Sequence, residues 1–289
     1  MWTEQGPLTF DGTSVFDLDS PTLGDKLRIS VATPAFYEAF QSPLPTLYIL
    51  DANACLPIAT SIARTIQTLS MNLSPPVICV GIGYPSDNLL DIMSLRTRDL
   101  TPVAGELPES PMPIDRFGTG GAATFLETIV GEVFPFVEER FRSDPAQRSI
   151  VGWSLGGLFG LHAMFSGRYA FSKAIVISPS IWWADREILE EEEKYASSHD
   201  DMACDVYATA GDREETALSR MWPPVPAEHA RQLTEAEMVS NLSRLVDRLR
   251  TRHYPSLRIT HEVLPEHHTS IFPAAFTRGL LHLYSDGVY

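Results

Sequence analysis

Gly152-Trp153-Ser154-Leu155-Gly156 has the G-x-S-x-G spacing that lifts a serine hydroxyl to the apex of a sharp strand-to-helix turn. Side chains at the two glycine positions would collide with the turning backbone. Ile150-Val151 ahead of the motif is strand-like, and Leu155 to His162 behind it can run as a glycine-rich helix. The plain alternative is an ordinary serine in a strand–helix connection. A serine hydroxyl is a weak nucleophile, so acyl-transfer chemistry also needs a base, an acid to orient it and donors for an oxyanion. The chain order that accompanies such an elbow is serine, acid, histidine. His267 and His268 lie after the last expected strand, where the base belongs, while His253, His261 and His282 fall on strand or helix patterns that packing explains. The acid belongs in Gly211-Asp212-Arg213-Glu214-Glu215, after the penultimate strand, where three carboxylates compete. The oxyanion hole needs the N–H of Leu155 and a second one from the turn after Leu47 to Leu50, for which Asn53 is the candidate.

The cluster His261-Glu262 with Glu266-His267-His268 also admits a metal reading, but H-E-x-x-H fails because Pro265 takes the fifth position and forbids the helix that motif requires. Cys55, Cys79 and Cys204 are widely spaced and include no C-x-x-C pair, against both a thiolate zinc site and a disulfide framework. No metal and no cofactor are expected.

Elements must hold these residues in place. Short β-type runs alternate with helical patterns, which predicts an α/β fold: a doubly wound, mostly parallel sheet with helices on both faces. Strands are expected at Phe10–Leu18, Leu27–Thr33, Leu47–Leu50, Val77–Ile82, Ser149–Val151, Ala174–Ile177, Asp205–Ala210 and Leu257–Leu264. Two strands before any helix imply an antiparallel start. Helices are expected at Pro57–Leu69, from Ala122 with a kink or stop at Pro135, at Leu155–Phe165, from Asp185 as N-cap, at Glu235–Arg252 and at Ile271–Tyr284. The stretch from Tyr84 to Gly121 holds Pro85, Pro102, Pro108, Pro111 and Pro113 and no long periodic segment, so it is expected to be a lid-like insertion.

The 289 residues are 44% hydrophobic and 20% charged, enough to bury one large core, and a single domain spanning 1–289 is expected. A formal charge of −15 repels phosphate backbones and anionic membrane surfaces, which disfavours nucleic-acid and membrane partners. Met1 to Pro7 shows no basic stretch leading into an apolar run, so a cytoplasmic location is expected. Nothing in the composition bears on oligomeric state.

Several segments together are more specific than the elbow alone. Tyr48-Ile49-Leu50-Asp51-Ala52-Asn53, Arg96-Thr97-Arg98-Asp99-Leu100-Thr101-Pro102, Gly120-Gly121-Ala122, Gly152 to Leu158, Ser178-Pro179-Ser180-Ile181-Trp182-Trp183 and Glu266-His267-His268-Thr269-Ser270 run in order from about residue 10 to 285. In them the chain resembles the putative-esterase branch of the α/β-hydrolases, in particular its siderophore-esterase-like group, which cleaves esters of iron-scavenging trilactones and related compounds. The resemblance implies the α/β-hydrolase fold, with Ser154 as nucleophile. It implies His268 as base, because the family has His followed by a small residue and then Ser, and Glu214 as acid, three residues beyond Gly211. Some members of the group resemble Ser-His dyads with a displaced acid. Two departures stand out: Ala52 where Gly is frequent, and Trp153 where His is usual. Trp153 either walls the pocket or packs beneath the elbow. Arg96 and Arg98 either anchor an anionic or catecholate-like substrate or pair locally with Asp99 or another acid. Trp182 and Trp183 are candidates to line the pocket, with at least one expected in the core.

The expected activity is that of a cofactor-free serine carboxylic-ester hydrolase working through an acyl-enzyme on a siderophore-like ester or another secondary-metabolite ester or lactone. An acyltransferase or thioesterase would use the same Ser-His site, and a non-catalytic binding protein on a hydrolase scaffold is the reading from another class.

Overall fold

The computed structural model describes residues 10–69, 74–107, 113–215 and 235–285. The expected stretch at Met1–Pro7 and the prolines Pro108 and Pro111 lie outside them. Eight strands form one sheet: β1 (Thr13–Ser20), β2 (Asp25–Ala32), β3 (Leu44–Ile49), β4 (Ile78–Gly83), β5 (Ser143–Trp153), β6 (Lys173–Ile177), β7 (Cys204–Gly211) and β8 (Leu257–Leu264). Their spatial order is β1-β2-β4-β3-β5-β6-β7-β8. β1 pairs antiparallel with β2 and β2 with β4, and every later pair is parallel. This is the expected mostly parallel sheet with an antiparallel start.

β3 and β4 are buried at every residue, as strands covered on both faces must be. One face is covered by α1 (Ala52–Leu69) and, at the chain end, by Ile271–Tyr284, through Cys55, Leu56, Ala59, Phe272 and Phe276. The other face takes α2 (Leu89–Leu100), α3 (Ala122–Thr128), α4 (Phe134–Arg140), α5 (Leu155–Phe165), α6 (Trp183–Arg186), α7 (Ile188–Ser198) and α8 (Met238–Arg252). The helix at Ile271–Tyr284 is α9. All the β-to-α turns of the parallel strands therefore open on the same sheet edge, where the carboxyl ends of β3, β5, β6, β7 and β8 meet.

Several expectations are corrected. The Tyr84–Gly121 stretch is not aperiodic, because α2 lies within it, capped by Asn88, whose Oδ1 accepts the Leu90 N–H at 2.9 Å. The buried side of α2 carries Ser94, Arg96, Thr97 and Asp99 beside Leu95 and Leu100, so an apolar period could not reveal it. α1 begins five residues ahead of Pro57, which sits inside it. At Pro135 the chain neither stops nor kinks alone: a π-turn over Ile129–Val133 joins α3 to α4, with Pro135 in the first turn of α4. Asp185 is no N-cap. It stands with Ala184 and Arg186 at positive φ, and α7 starts only at Ile188.

Candidate active site

Ser154 stands between β5 and α5 with φ 61° and ψ −119°, a left-handed conformation that a non-glycine residue keeps only when its surroundings hold it. The restraints are visible. The Ser154 N–H donates to Ile177 O at 2.9 Å, and the Ser154 carbonyl accepts the N–H groups of Leu158 at 3.0 Å and Ser180 at 3.1 Å. A Cβ at Gly152 would lie 2.0 Å from Gly156 O, so the turn closes only with glycine there. The elbow expected from the motif is present.

The end of β7 supplies the acid loop. Glu214 is 5% exposed, and three donors converge on its carboxylate: Oε1 accepts the Ser178 hydroxyl at 2.5 Å and the Gly211 N–H at 2.7 Å, and Oε2 lies 2.7 Å from His268 Nδ1. A buried carboxylate loses its hydration, and these bonds offset that loss. The competing carboxylates point elsewhere. Glu215 accepts both the N–H and the hydroxyl of Ser240 at the start of α8, and Asp212 is exposed beside Arg213. The loop between β8 and α9 separates the two histidines as well. His267 gives its backbone to the turn that opens α9, where its carbonyl accepts the N–H groups of Ser270 and Ile271. His268 turns toward Glu214, and its ring packs against the Trp153 indole, with centroids 5.3 Å apart and planes tilted by 36°. Trp153 thus touches the histidine beside the elbow, a role that neither earlier reading of it contained.

The turn after β3 carries Asn53 in the first turn of α1. Its side chain is tied to the backbone of Tyr84, with Nδ2 donating to Tyr84 O and Oδ1 accepting the Tyr84 N–H, both at 2.9 Å. The side chain is thus held against Tyr84, and the oxyanion donor expected of Asn53 is its backbone N–H, as at Leu155, the first residue of α5. The turn is braced from beneath. Asp51, itself at φ 53°, is held by Arg96 of α2 through two bonds of 2.7 and 2.9 Å. Burial works to lower the Arg96 pKa, but the charge of Asp51 and the bonds to it outweigh burial and hold it above the ordinary value. Arg98 pairs with Asp99 and with Asp25, and Tyr84 Oη donates to Asp99 at 3.1 Å. Burial raises the Asp99 pKa against the pull of Arg98 and Tyr84. Both arginines are thus paired with carboxylates of the chain, as the local-pair reading has it.

Trp183 is corrected as a pocket residue: it is 1% exposed and its Nε1 donates to Val103 O at 3.0 Å. Trp182 is half-buried against it, with ring centroids 5.9 Å apart, and keeps an accessible face. Two residues that sequence reasoning quoted without a role also belong here. Ser178 bonds Glu214, and Ser180 Oγ lies 3.3 Å from Ser154 Oγ. Their only signal was the position of Ser178-Pro179-Ser180 at a strand end on the site's edge. Among the described residues no cluster of histidine, cysteine and carboxylate side chains could hold a metal ion. Among them also, no helix is long and apolar enough to cross a membrane.

The family model described as a putative esterase matches residues 104–283. The chain belongs to this family. A siderophore triacetylfusarinine C esterase of Aspergillus fumigatus is 32% identical, with 97% of this chain and 96% of that protein covered. A ferri-bacillibactin esterase, BesA, of Bacillus subtilis is 30% identical over 96% of this chain and 92% of its own length. Among solved structures, the BES protein of Bacillus cereus and the siderophore hydrolase EstA of Aspergillus nidulans each superpose with a TM-score of 0.80 at 26% identity. They cover 98% of this chain and 99% and 98% of theirs. The chain has the α/β-hydrolase fold, and its relatives place it in the family's siderophore-esterase-like group.

Proposed function

We propose that this chain is a serine hydrolase that cleaves the ester bonds of a siderophore or a closely similar ester or lactone through an acyl-enzyme. The observation that carries the reading is a strained Ser154 at the elbow together with a His268–Glu214 pair 2.7 Å apart, whose imidazole packs on Trp153, the residue before the serine. The substrate class is taken from the relatives, whose names specify siderophore esters.

In this reading Ser154 Oγ attacks the ester carbonyl while His268 Nε2 removes its proton. Glu214 accepts from Nδ1, which fixes the tautomer that leaves Nε2 free to act as base, and stabilises the imidazolium as it forms. The N–H groups of Leu155 and Asn53 receive the oxyanion, each worth about 3–4 kcal/mol because the charge appears only in the transition state. His268 returns the proton to the leaving alcohol and then activates water to release the acid. Trp182 offers an accessible aromatic face two residues beyond Ser180 for the substrate to lean on.

The test is covalent. Incubation of the folded protein with a fluorophosphonate should add one phosphonyl mass at Ser154, and Ser154→Ala should abolish both the adduct and ester turnover. Unlabelled folded protein, or an alanine variant that still hydrolyses ester, would overturn the reading. Product analysis with an added alcohol or thiol separates hydrolysis from acyl transfer: the free acid should remain the main product.

A further inference from the structure

We propose that Ser178 and Ser180, on either side of Pro179 at the end of β6, are positioning residues that set the two ends of the Ser154–His268–Glu214 arrangement. Ser178 aims the carboxylate and Ser180 holds the hydroxyl of the nucleophile. This rests on the serine-hydrolase reading above and adds to it two residues of no assigned role.

A carboxylate in a cavity can rotate about its last bond and offer either oxygen to a histidine. Glu214 has lost that freedom. The Ser178 hydroxyl and the Gly211 N–H both donate to Oε1, at 2.5 and 2.7 Å, so Oε2 alone faces His268. Ser178 is fully buried, and its N–H donates to Thr209 O at 2.7 Å, which ties it to β7, the strand that carries the acid loop. It also adopts φ 41°, where glycine would be unstrained. A strained, buried serine whose hydroxyl lies on the acid is explained by what that hydroxyl does.

Ser180 is 2% exposed and meets Ser154 twice: its N–H donates to the Ser154 carbonyl at 3.1 Å, and the two hydroxyl oxygens lie 3.3 Å apart. Ile177 O, one residue before Ser178, accepts the Ser154 N–H. Three residues of one four-residue turn, Ile177, Ser178 and Ser180, therefore grip both the nucleophile and the acid. Their spacing is fixed by covalent geometry rather than by two independent loops. Once bonded to Ser180, the Ser154 hydroxyl has fewer rotamers to search before it meets His268.

The experiment uses the full chain, with p-nitrophenyl butyrate as substrate and a fluorophosphonate as probe. Ser178→Gly removes the hydroxyl while suiting the backbone, so the melting temperature should fall by only a few degrees and the chain should stay folded at the assay temperature. kcat should fall by about 10- to 100-fold with KM within about twofold. In a Glu214→Gln background the same change should cost less than about threefold, because the carboxylate it aims is gone. A merely structural serine would cost the same in both backgrounds. If the glycine variant unfolds, Ser178→Ala carries the same expectation. For Ser180→Ala, probe labelling of Ser154 should slow by about tenfold at unchanged stability, and Ser180→Thr should restore it.

The Ser178 assignment is overturned by a glycine variant within twofold of wild type or by equal costs in the two backgrounds. The Ser180 assignment is overturned by labelling of the alanine variant at the wild-type rate. Failure of the underlying reading looks different: wild type itself would take no probe, or Ser154→Ala would still turn over ester.

Discussion

At the scale of single residues, the contrast between His267 and His268 makes the sharpest prediction. Consecutive side chains on a loop leave in different directions, and here one ring meets Glu214 while the neighbouring residue gives its backbone to the start of α9. His268→Ala should lower kcat by at least about 10³-fold, as loss of a base does, while His267→Ala should stay within about tenfold of wild type. Glu214→Gln should fall between them, since it removes the orienting charge and leaves the base in place. Steady-state rates on one chromogenic ester, with circular dichroism to confirm folding, decide the order; a dead His267 variant beside an active His268 variant reverses the assignment. Ser154 could be read from spacing alone because an elbow needs glycines at defined offsets. His268 and Glu214 needed the family resemblance to choose them from a histidine pair and three carboxylates. Ser178 left no signal of its own: a lone serine is ordinary in any turn, and only the fold shows that a carboxylate 36 residues away accepts its hydroxyl.

Among the elements, α2 was hidden and most strands were not. β6, α5 and α9 match their expected bounds closely because each buries an uninterrupted apolar run or stripe, and β8 matches as well although Leu264 is its one buried residue. α2 turns polar groups inward, and its Arg96–Asp51 pair ties it to the turn that carries Asn53. Removing one partner of a buried pair leaves the other uncompensated, so Arg96→Met should cost about 3–5 kcal/mol in denaturant unfolding. The double variant with Asp51→Asn should recover much of that loss, Asn being tolerant of the φ of 53° at this position. A substrate-anchoring Arg96 would instead raise KM without this loss of stability. β8 offers a pH test. His261 lies on this strand with Nε2 buried and unpartnered among the described residues, and burial, aided by Arg250, lowers its pKa from 6.5. A lowered histidine pKa means that the unfolded chain binds the proton more readily. The contribution of neutral His261 is therefore intact above about pH 6.5 and is lost as pH falls through the lower folded value. His261→Leu should flatten the fall in stability over that window, as measured by melting temperature against pH; an unchanged slope would show that other groups carry it.

On the scale of the whole molecule, strand order could not be read from the chain, because β4 inserts between β2 and β3 and so reverses the sheet's direction of growth at β3. That reversal, together with the shared orientation of the later parallel strands, brings residues as distant as Asn53, Ser154, Glu214 and His268 to one edge. Charge acts over the same distances. With 37 acidic and 22 basic side chains, every basic group could be paired and an acidic excess of 15 would still remain. Many of the arginines are in close pairs, such as Arg252 with Glu192 at 2.9 Å, Arg28 with Asp17 at 2.8 Å and Arg98 with Asp99 at 2.6 Å. Contact pairs with a buried member are screened weakly. Repulsion among the surplus carboxylates runs over distances near the screening length of about 10 Å at 0.1 M salt and is screened most. Raising sodium chloride from about 10 to about 150 mM should therefore stabilise the fold, with a rise in melting temperature of about 2–4 °C if about 1 kcal/mol of repulsion is relieved. A melting temperature that falls over the same range would show that contact pairs, rather than the surplus charge, dominate the electrostatics of this chain.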